Sequence, residues 1–146
     1  MIEAAFGVGS SIFAETTNRL SRIYSEADHV PQVAARFHEW QRVRGQTVAS
    51  PATEEPLFIH QTYLALLARL VARSFVAPRR PISNSEELLE VINVDYFSRR
   101  GIGNFGEGDV FSWPLIEKRW ELGLDNLILE TMQGLADTVA THDFSN

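Results

Sequence analysis

Residues 56–78, PLFIHQTYLALLARLVARSFVAP, carry the strongest helical signal in the chain. Pro56 is predicted to begin this helix and Pro78 to end it, and Glu54 and Glu55 suit the positive end of the helix dipole. Apolar side chains surround most of its circumference: Leu57, Phe58, Leu64, Leu67, Leu70, Val71 and Phe75. A narrower polar stripe consists of Thr62, Ala65, Arg69 and Arg73. Since a helix that is apolar nearly all round is buried, residues 56–77 are predicted to be the central element of a bundle.

Helix signals also precede this segment. Ser10 or Ser11 can cap a first helix that reaches about Glu26, because serine side chains accept hydrogen bonds from the first turn of a helix. Pro31 suits the first turn of a second helix, PQVAARFHEWQRVRG, which Gly45 is predicted to end. The polar, proline-containing residues 46–56 are predicted to link this helix to the central one.

Two more helices are predicted after the central one. A capping box would begin a short helix, and its two candidate pairs are Ser83 with Glu86 and Asn84 with Glu87. The last helix is predicted over about Leu115 to Thr141, where apolar residues recur at helical spacing. No segment is typical of a strand. The sequence therefore predicts an all-α fold, an irregular helical bundle around a buried central helix (residues 56–77), with a glycine-rich loop at residues 101–109.

Length and composition suit one helical domain over residues 1–146. Of the 146 residues, 45% are hydrophobic and 22% are charged, and a chain of this size can bury a single core.

The apolar run from Tyr63 to Ala77 is interrupted by Arg69 and Arg73, which argues against a membrane span. The N-terminus also lacks the pattern of a signal peptide. Because cysteine is absent, disulfides and thiolate metal sites are excluded, and a cytoplasmic location is expected.

The stretch RRGIGNFGEGDVFSWP, residues 99–114, contains a literal G-x-G-x-x-G. A dinucleotide-binding loop needs a buried strand before the glycines and a helix directly after them. Here a double arginine precedes the glycines, Pro114 bars an immediate helix, and Glu107 and Asp109 would repel a phosphate. The stretch is therefore interpreted as a structural loop whose glycines adopt positive φ. Three aromatic residues are predicted to anchor it to the central helix: Phe105, Phe111 and Trp113.

No other stretch carries a strong catalytic or metal-binding pattern. Four histidines lack a second ligand at metal spacing: His29, His38, His60 and His142. His60 shares a helical face with Leu64, where a hydrogen-bonded core residue is the preferred interpretation. Glu107 and Asp109 could act as paired carboxylates, but solvated charge or helix capping is preferred. The sequence predicts no catalytic, cofactor-binding or metal-binding residue, and a small enzyme that uses Glu107, Asp109 and His60 stays as a third hypothesis.

Three stretches, taken in order, resemble one family: FHEWQRVRGQ, EPLFIHQTYLALLARLVA and GIGNFGEGDVFSWPL. They are similar to the helical N-terminal region that precedes the catalytic domain in large adenine-specific DNA methyltransferases. Those enzymes belong to restriction–modification systems and include single-chain methylase–nuclease proteins. The resemblance extends from about Arg36 onward, and the second and third stretches are fairly specific as a pair.

The resemblance does not extend to a whole enzyme. In that family an Asn-Pro-Pro-aromatic motif holds the target adenine, and this sequence contains no Asn-Pro-Pro. The resemblance therefore implies a non-catalytic N-terminal fragment, whose partner is the catalytic methyltransferase domain of the same chain. S-adenosylmethionine is expected as the methyl donor in the full-length protein, with no cofactor in this fragment. The alternative is a stand-alone helical protein-interaction domain.

Arginine supplies nearly all the positive charge, because Lys118 is the single lysine among 13 basic residues, and the formal net charge is −6. Arg79 and Arg80 follow the central helix, and Arg99 and Arg100 precede the glycine loop. If the short helix folds back on the central one, these four arginines would form a basic patch for DNA phosphates. The alternative is ion pairing with nearby carboxylates, namely Glu86, Glu87, Glu90 and Asp95. The acidic total predicts weak, non-specific DNA binding by the chain alone, or binding only in the full-length context.

Overall fold

The fold is a bundle of helices, and no strand occurs in the part of the chain that the structure describes. A computed structural model describes residues 5–28, 30–44, 51–78, 82, 84–101, 111–115 and 125–141. The helices are α1 (Ser11–Ala27), α2 (Pro31–Arg44), α3 (Pro51–Val76), α4 (Ser85–Ile92), α5 (Asp95–Ser98) and α6 (Asp125–Thr141), with a 3₁₀ turn at Trp113–Leu115. The predicted all-α class is confirmed.

Caps explain where the shorter helices begin. The Ser10 side chain accepts a hydrogen bond from the backbone N–H of Phe13 (3.2 Å), so Ser10 rather than Ser11 caps α1. The Asn84 side chain accepts from the N–H of Glu87 (2.8 Å), which selects the Asn84–Glu87 pair for α4. Pro31 occupies the first position of α2, where its missing N–H has no intrahelical role.

The central helix is longer at its N-terminus than predicted. It begins at Pro51, and Pro56 lies inside it, so the predicted start at Pro56 is wrong and residues 51–55 are helical instead of linker. A proline inside a helix omits one backbone hydrogen bond, a loss that a long and well-packed helix tolerates near its end. At the C-terminal side of the chain, Leu115 closes the 3₁₀ turn rather than beginning the last helix, and the described part of that helix starts at Asp125.

α3 lies at the centre and contacts α1, α4 and α6. Its polar stripe faces the core: Thr62 is fully buried, and Arg69 and Arg73 are only 3% and 6% exposed. The opposite face presents apolar side chains to solvent, with Leu64 49% and Phe75 67% exposed. The central position of α3 is as predicted. The helix was also expected to be buried nearly all round, and this expectation is wrong for the face that carries Leu64 and Phe75.

Aromatic rings fill the core on the inner side of α3. The Phe58 ring lies 5.2 Å from each of the rings of Phe37 and Trp40, 5.9 Å from Tyr24 and 6.0 Å from Trp113. Offset and edge-on ring pairs of this kind add about 0.5–1.5 kcal/mol each to the gain from burial. The aromatic cluster thus joins α1, α2, α3 and the 3₁₀ turn.

None of the described helices has the length and apolar character to cross a bilayer.

Candidate functional site

The indole of Trp113 is the most deeply buried side chain among the described residues of the third stretch of the family resemblance. It is 0% exposed, and its Nε1–H donates to Thr62 Oγ1 on α3 (3.0 Å). Its ring lies over Phe58 at an interplanar angle of 29° and meets Tyr24 edge-on, at 5.3 Å and 81°. The hydrogen bond satisfies the indole N–H, so the large ring is buried without leaving a polar group unpaired.

Trp40, from the first stretch of the resemblance, meets the same part of α3. Its Nε1–H donates to Gln61 Oε1 (2.9 Å), and its ring packs on both Phe37 and Phe58. Phe111 is half-buried, 6.1 Å from the Phe58 ring. Residues of all three stretches therefore converge around Phe58 and its neighbours on α3.

Arg69 joins three segments beneath the surface. Its Nη1 donates to the carbonyl oxygen of Ile92 (2.5 Å), the last residue of α4, and to Ser112 Oγ (3.0 Å). Ser112 Oγ also donates to the Ile92 carbonyl (3.3 Å). A cation at a helix C-terminus is favourable because the free carbonyls carry partial negative charge. The buried guanidinium thus fixes the end of α4 against α3 and against the segment before the 3₁₀ turn.

The corner after α4 carries backbone strain. Val94, between α4 and α5, has φ 68, in the left-handed region that a β-branched residue rarely adopts. Such a conformation costs about 1–3 kcal/mol and persists only where surrounding contacts impose it. Val94 is itself buried, and the Arg69 hydrogen bond to Ile92 lies two residues before it. These contacts hold the corner in place.

Arg73 forms a second polar contact between α3 and α4. Its Nη2 donates to Glu87 Oε2 (2.8 Å), and the side chains are 7% and 24% exposed. Removing one partner of such a shielded ion pair lowers the stability of the fold, by about 3–5 kcal/mol when the pair is fully buried, because the remaining charge stays in a poorly solvated site. Both arginines of α3 thus serve packing between helices.

The four arginines predicted to meet DNA phosphates fall into two groups. Arg99 and Arg100 are exposed at the end of α5, whereas Arg79 and Arg80 lie outside the described residues. Arg99 pairs with Glu90 of α4, as the ion-pair alternative expected. The Arg100 guanidinium lies 3.6 Å from the centre of the Tyr96 ring, and its Nη1 donates to the Tyr96 carbonyl (3.0 Å). Both arginines are therefore exposed and each is held by a contact within the chain.

The glycine loop is described only at its start. Gly101 has φ 76, a left-handed conformation that glycine adopts without steric cost, and it follows the last turn of α5. Residues 102–110, with Phe105, Glu107 and Asp109, lie outside the described residues. The loop anchors that the structure does describe, Phe111 and Trp113, both pack on α3.

A cavity of about 410 Å³ lies beside α3, open to solvent on one side. Its lining consists of Phe6, Gly7, Val8, Gly9, Phe13, His60 and Leu64. The His60 ring lies 5.0 Å from Phe13 in an edge-on arrangement. None of the lining residues carries a carboxylate, and among the described residues no group of three histidine, aspartate or glutamate side chains is placed to hold a metal ion. The cavity offers mainly apolar surface.

Burial raises the pKa values of two tyrosines and of Glu55. Burial raises the pKa of Tyr63 to about 12, and its hydroxyl donates to the Phe6 carbonyl (2.6 Å). Burial, with smaller contributions from Glu55 and Asp28, raises the pKa of Tyr24 to about 12. Burial and the nearby Asp28 also raise the pKa of Glu55. Both phenols are neutral at physiological pH, so they act through packing and hydrogen bonding.

Sequence reasoning missed the inward orientation of Arg69 and Arg73. One signal could have indicated it, because at 100° per residue both arginines share a face with Phe58, Thr62 and Leu66.

Comparison of the chain with known proteins found no significant match to a family model, a curated protein or a solved structure.

Proposed function

We propose that this chain is a non-catalytic N-terminal helical module of a restriction–modification DNA adenine methyltransferase in the cytoplasm. The module packs on the catalytic domain of the same polypeptide and contacts DNA only in that context. The observation that supports it is the convergence of the three family-like stretches on one buried cluster around Phe58, where Trp113 bonds to Thr62 and Trp40 to Gln61.

The chemistry of those contacts favours a scaffold. Motif residues that bind a substrate or a cofactor keep polar groups directed at open space, because the ligand must reach them. Here the indole N–H groups of Trp40 and Trp113 donate to side chains of α3, and the Arg69 guanidinium group donates to the Ile92 carbonyl at the end of α4. These motif residues position helices relative to one another, and methyl transfer is assigned to a domain that binds S-adenosylmethionine elsewhere in the protein.

The charge distribution is in keeping with an indirect role on DNA. A net charge of −6 opposes strong binding to a polyanion. Arg99 and Arg100 are exposed after α5, and in the complete enzyme they would add phosphate contacts to those of the catalytic domain. Such contacts position DNA without reading its sequence.

The test is methylation by the full-length gene product. Transfer of a labelled methyl group from S-adenosylmethionine to adenine in DNA is expected with the complete protein, and neither transfer nor S-adenosylmethionine binding is expected with residues 1–146 alone. A complete protein that methylates no DNA would refute the proposal, as would S-adenosylmethionine binding by this chain in calorimetry.

A stand-alone helical protein-interaction domain is the second candidate, and the exposed Leu64 of α3 favours it. Reading the gene beyond the codon for Asn146 separates the two proposals. An open reading frame that continues into an Asn-Pro-Pro-aromatic motif supports the methyltransferase module, whereas a stop codon directly after Asn146 supports the stand-alone domain.

A further inference from the structure

The cavity beside α3 has a wall that hydrogen bonds hold in place. Its lining comes from the segment before α1, from the first turn of α1 and from α3. The Tyr63 hydroxyl on α3 donates to the Phe6 carbonyl (2.6 Å), which fixes this segment against α3. The Ser10 hydroxyl donates to the Gly7 carbonyl (2.7 Å) and accepts from the Phe13 N–H (3.2 Å), which fixes the segment against α1. The wall is therefore formed before any ligand binds, as is usual for small-molecule sites.

The lining combines apolar surface with one polar side chain. Phe6 is buried whereas Val8 and Leu64 are exposed, which places Phe6 at the floor of the cavity and the other two at its mouth. His60 carries the single polar side chain of the lining. Among the described residues its ring nitrogens have no hydrogen-bond partner, and its ring meets Phe13 edge-on. Since a neutral imidazole accepts at one nitrogen and donates at the other, His60 can bond to a ligand.

Volume and chemistry together select a class of ligand. The cavity of about 410 Å³ is well above the roughly 150 Å³ that admits benzene, so two fused rings fit. The Phe13 ring stands edge-on to His60 and Tyr63, at 75° and 83°, and such aromatic walls favour edge-on or offset contact with a flat ring. The lining contains no charged residue, so an ionic ligand would lose hydration without gaining a partner.

We propose that this cavity is a binding site for a small neutral bicyclic aromatic compound, whose single N–H or O–H group donates to the His60 imidazole. The rings lie against Phe6 and Phe13, and Leu64 covers their outer edge. Because one side of the cavity is open to solvent, binding is expected to be weak, with a dissociation constant of about 0.1–1 mM. The site goes beyond the proposed scaffold function and does not depend on it.

Indole is the probe, because it is bicyclic and neutral and carries one N–H donor. Its titration into the isotope-labelled chain is followed by NMR. Saturable shifts are expected for the backbone amide signals of Gly7, Val8 and Gly9 and for the ring signals of His60. The amide of Gly101, which lies outside the lining, is the reference that should not shift.

Variants of His60 test the hydrogen bond to the ligand. N-methylindole keeps the ring system and lacks the N–H donor. In His60→Leu the affinity for indole relative to N-methylindole should fall about threefold to tenfold. His60→Gln, which keeps an acceptor, should preserve most of this ratio. His38→Leu, the same change at an exposed histidine of α2, is the matched control and should leave the ratio unchanged.

Three results would overturn the proposal. The first is a His60→Leu variant that is folded by circular dichroism and has the wild-type ratio of affinities. The second is the lack of saturable shifts at the lining residues up to about 10 mM indole, tenfold above the weakest expected dissociation constant. The third is tighter binding of an indole carboxylate than of indole, since the lining offers no cation to an anion. The last two are measured on the unchanged chain and do not require any variant to fold.

Discussion

Removal of the Trp113 side chain is the most direct perturbation of the contact between the 3₁₀ turn and α3. The indole is fully buried, touches the rings of Phe58 and Tyr24, and donates one hydrogen bond to Thr62. Truncating a buried tryptophan to alanine removes transfer free energy and leaves a cavity, at a combined cost of about 3–5 kcal/mol. For a chain of this length that loss lowers the melting temperature by roughly 10–16 °C.

Two milder variants separate the contribution of ring packing to this loss of stability from the contribution of the hydrogen bond. Trp113→Phe keeps an aromatic ring but removes the N–H donor, whereas Thr62→Val keeps the indole and removes its acceptor. Thr62→Val should cost about 1–3 kcal/mol, because it leaves a buried N–H without a partner. The double variant should cost less than the sum of the two, and a coupling of about 1 kcal/mol is expected if the hydrogen bond forms in solution.

Urea unfolding followed by circular dichroism measures each free energy of unfolding. An unchanged midpoint and slope for Trp113→Ala would refute the anchoring role of this residue. Strict additivity of Trp113→Phe and Thr62→Val would show that the two side chains do not interact, while leaving the packing contribution of the ring intact.

Three further outcomes are expected. Arg69→Met should lower the free energy of unfolding by about 1–3 kcal/mol, since it removes the guanidinium hydrogen bonds to the Ile92 carbonyl and to Ser112 Oγ; urea midpoints equal to wild type would contradict this. Glu55 has a raised folded-state pKa, so its ionisation costs stability as pH rises through that value. Glu55→Gln should therefore melt above wild type at pH 7 and match it below about pH 4, with Glu130→Gln, at an exposed position, as the matched control; melting temperatures of Glu55→Gln equal to wild type across the range would exclude the effect. Charge reversal of Arg79 and Arg80 in the full-length protein should weaken binding to all DNA sequences with a shallower salt dependence, and unchanged affinity and slope in a folded variant would remove both from the DNA interface.

Local sequence signals predicted most of the helices because their causes are local. Ser10, Pro31 and Asn84 act on backbone groups within three or four residues, so capping rules predict the start of α2 and limit the starts of α1 and α4 to two neighbouring candidates each. The start of α3 cannot be predicted in this way, because both Pro51 and Pro56 suit a first turn and capping rules do not select between them. The absence of strand signals likewise determined the all-α class.

The sequence by itself determined that residues near 56–77 form the central helix, but only the tertiary structure decided which face of that helix is buried. Helical periodicity shows that Arg69 and Arg73 share a face with Phe58 and does not show whether that face can satisfy two guanidinium groups. Their partners, Ile92 and Glu87, lie 23 and 14 positions away. A charged side chain is buried only where distant acceptors are brought to it, and folding of α4 onto α3 supplies them.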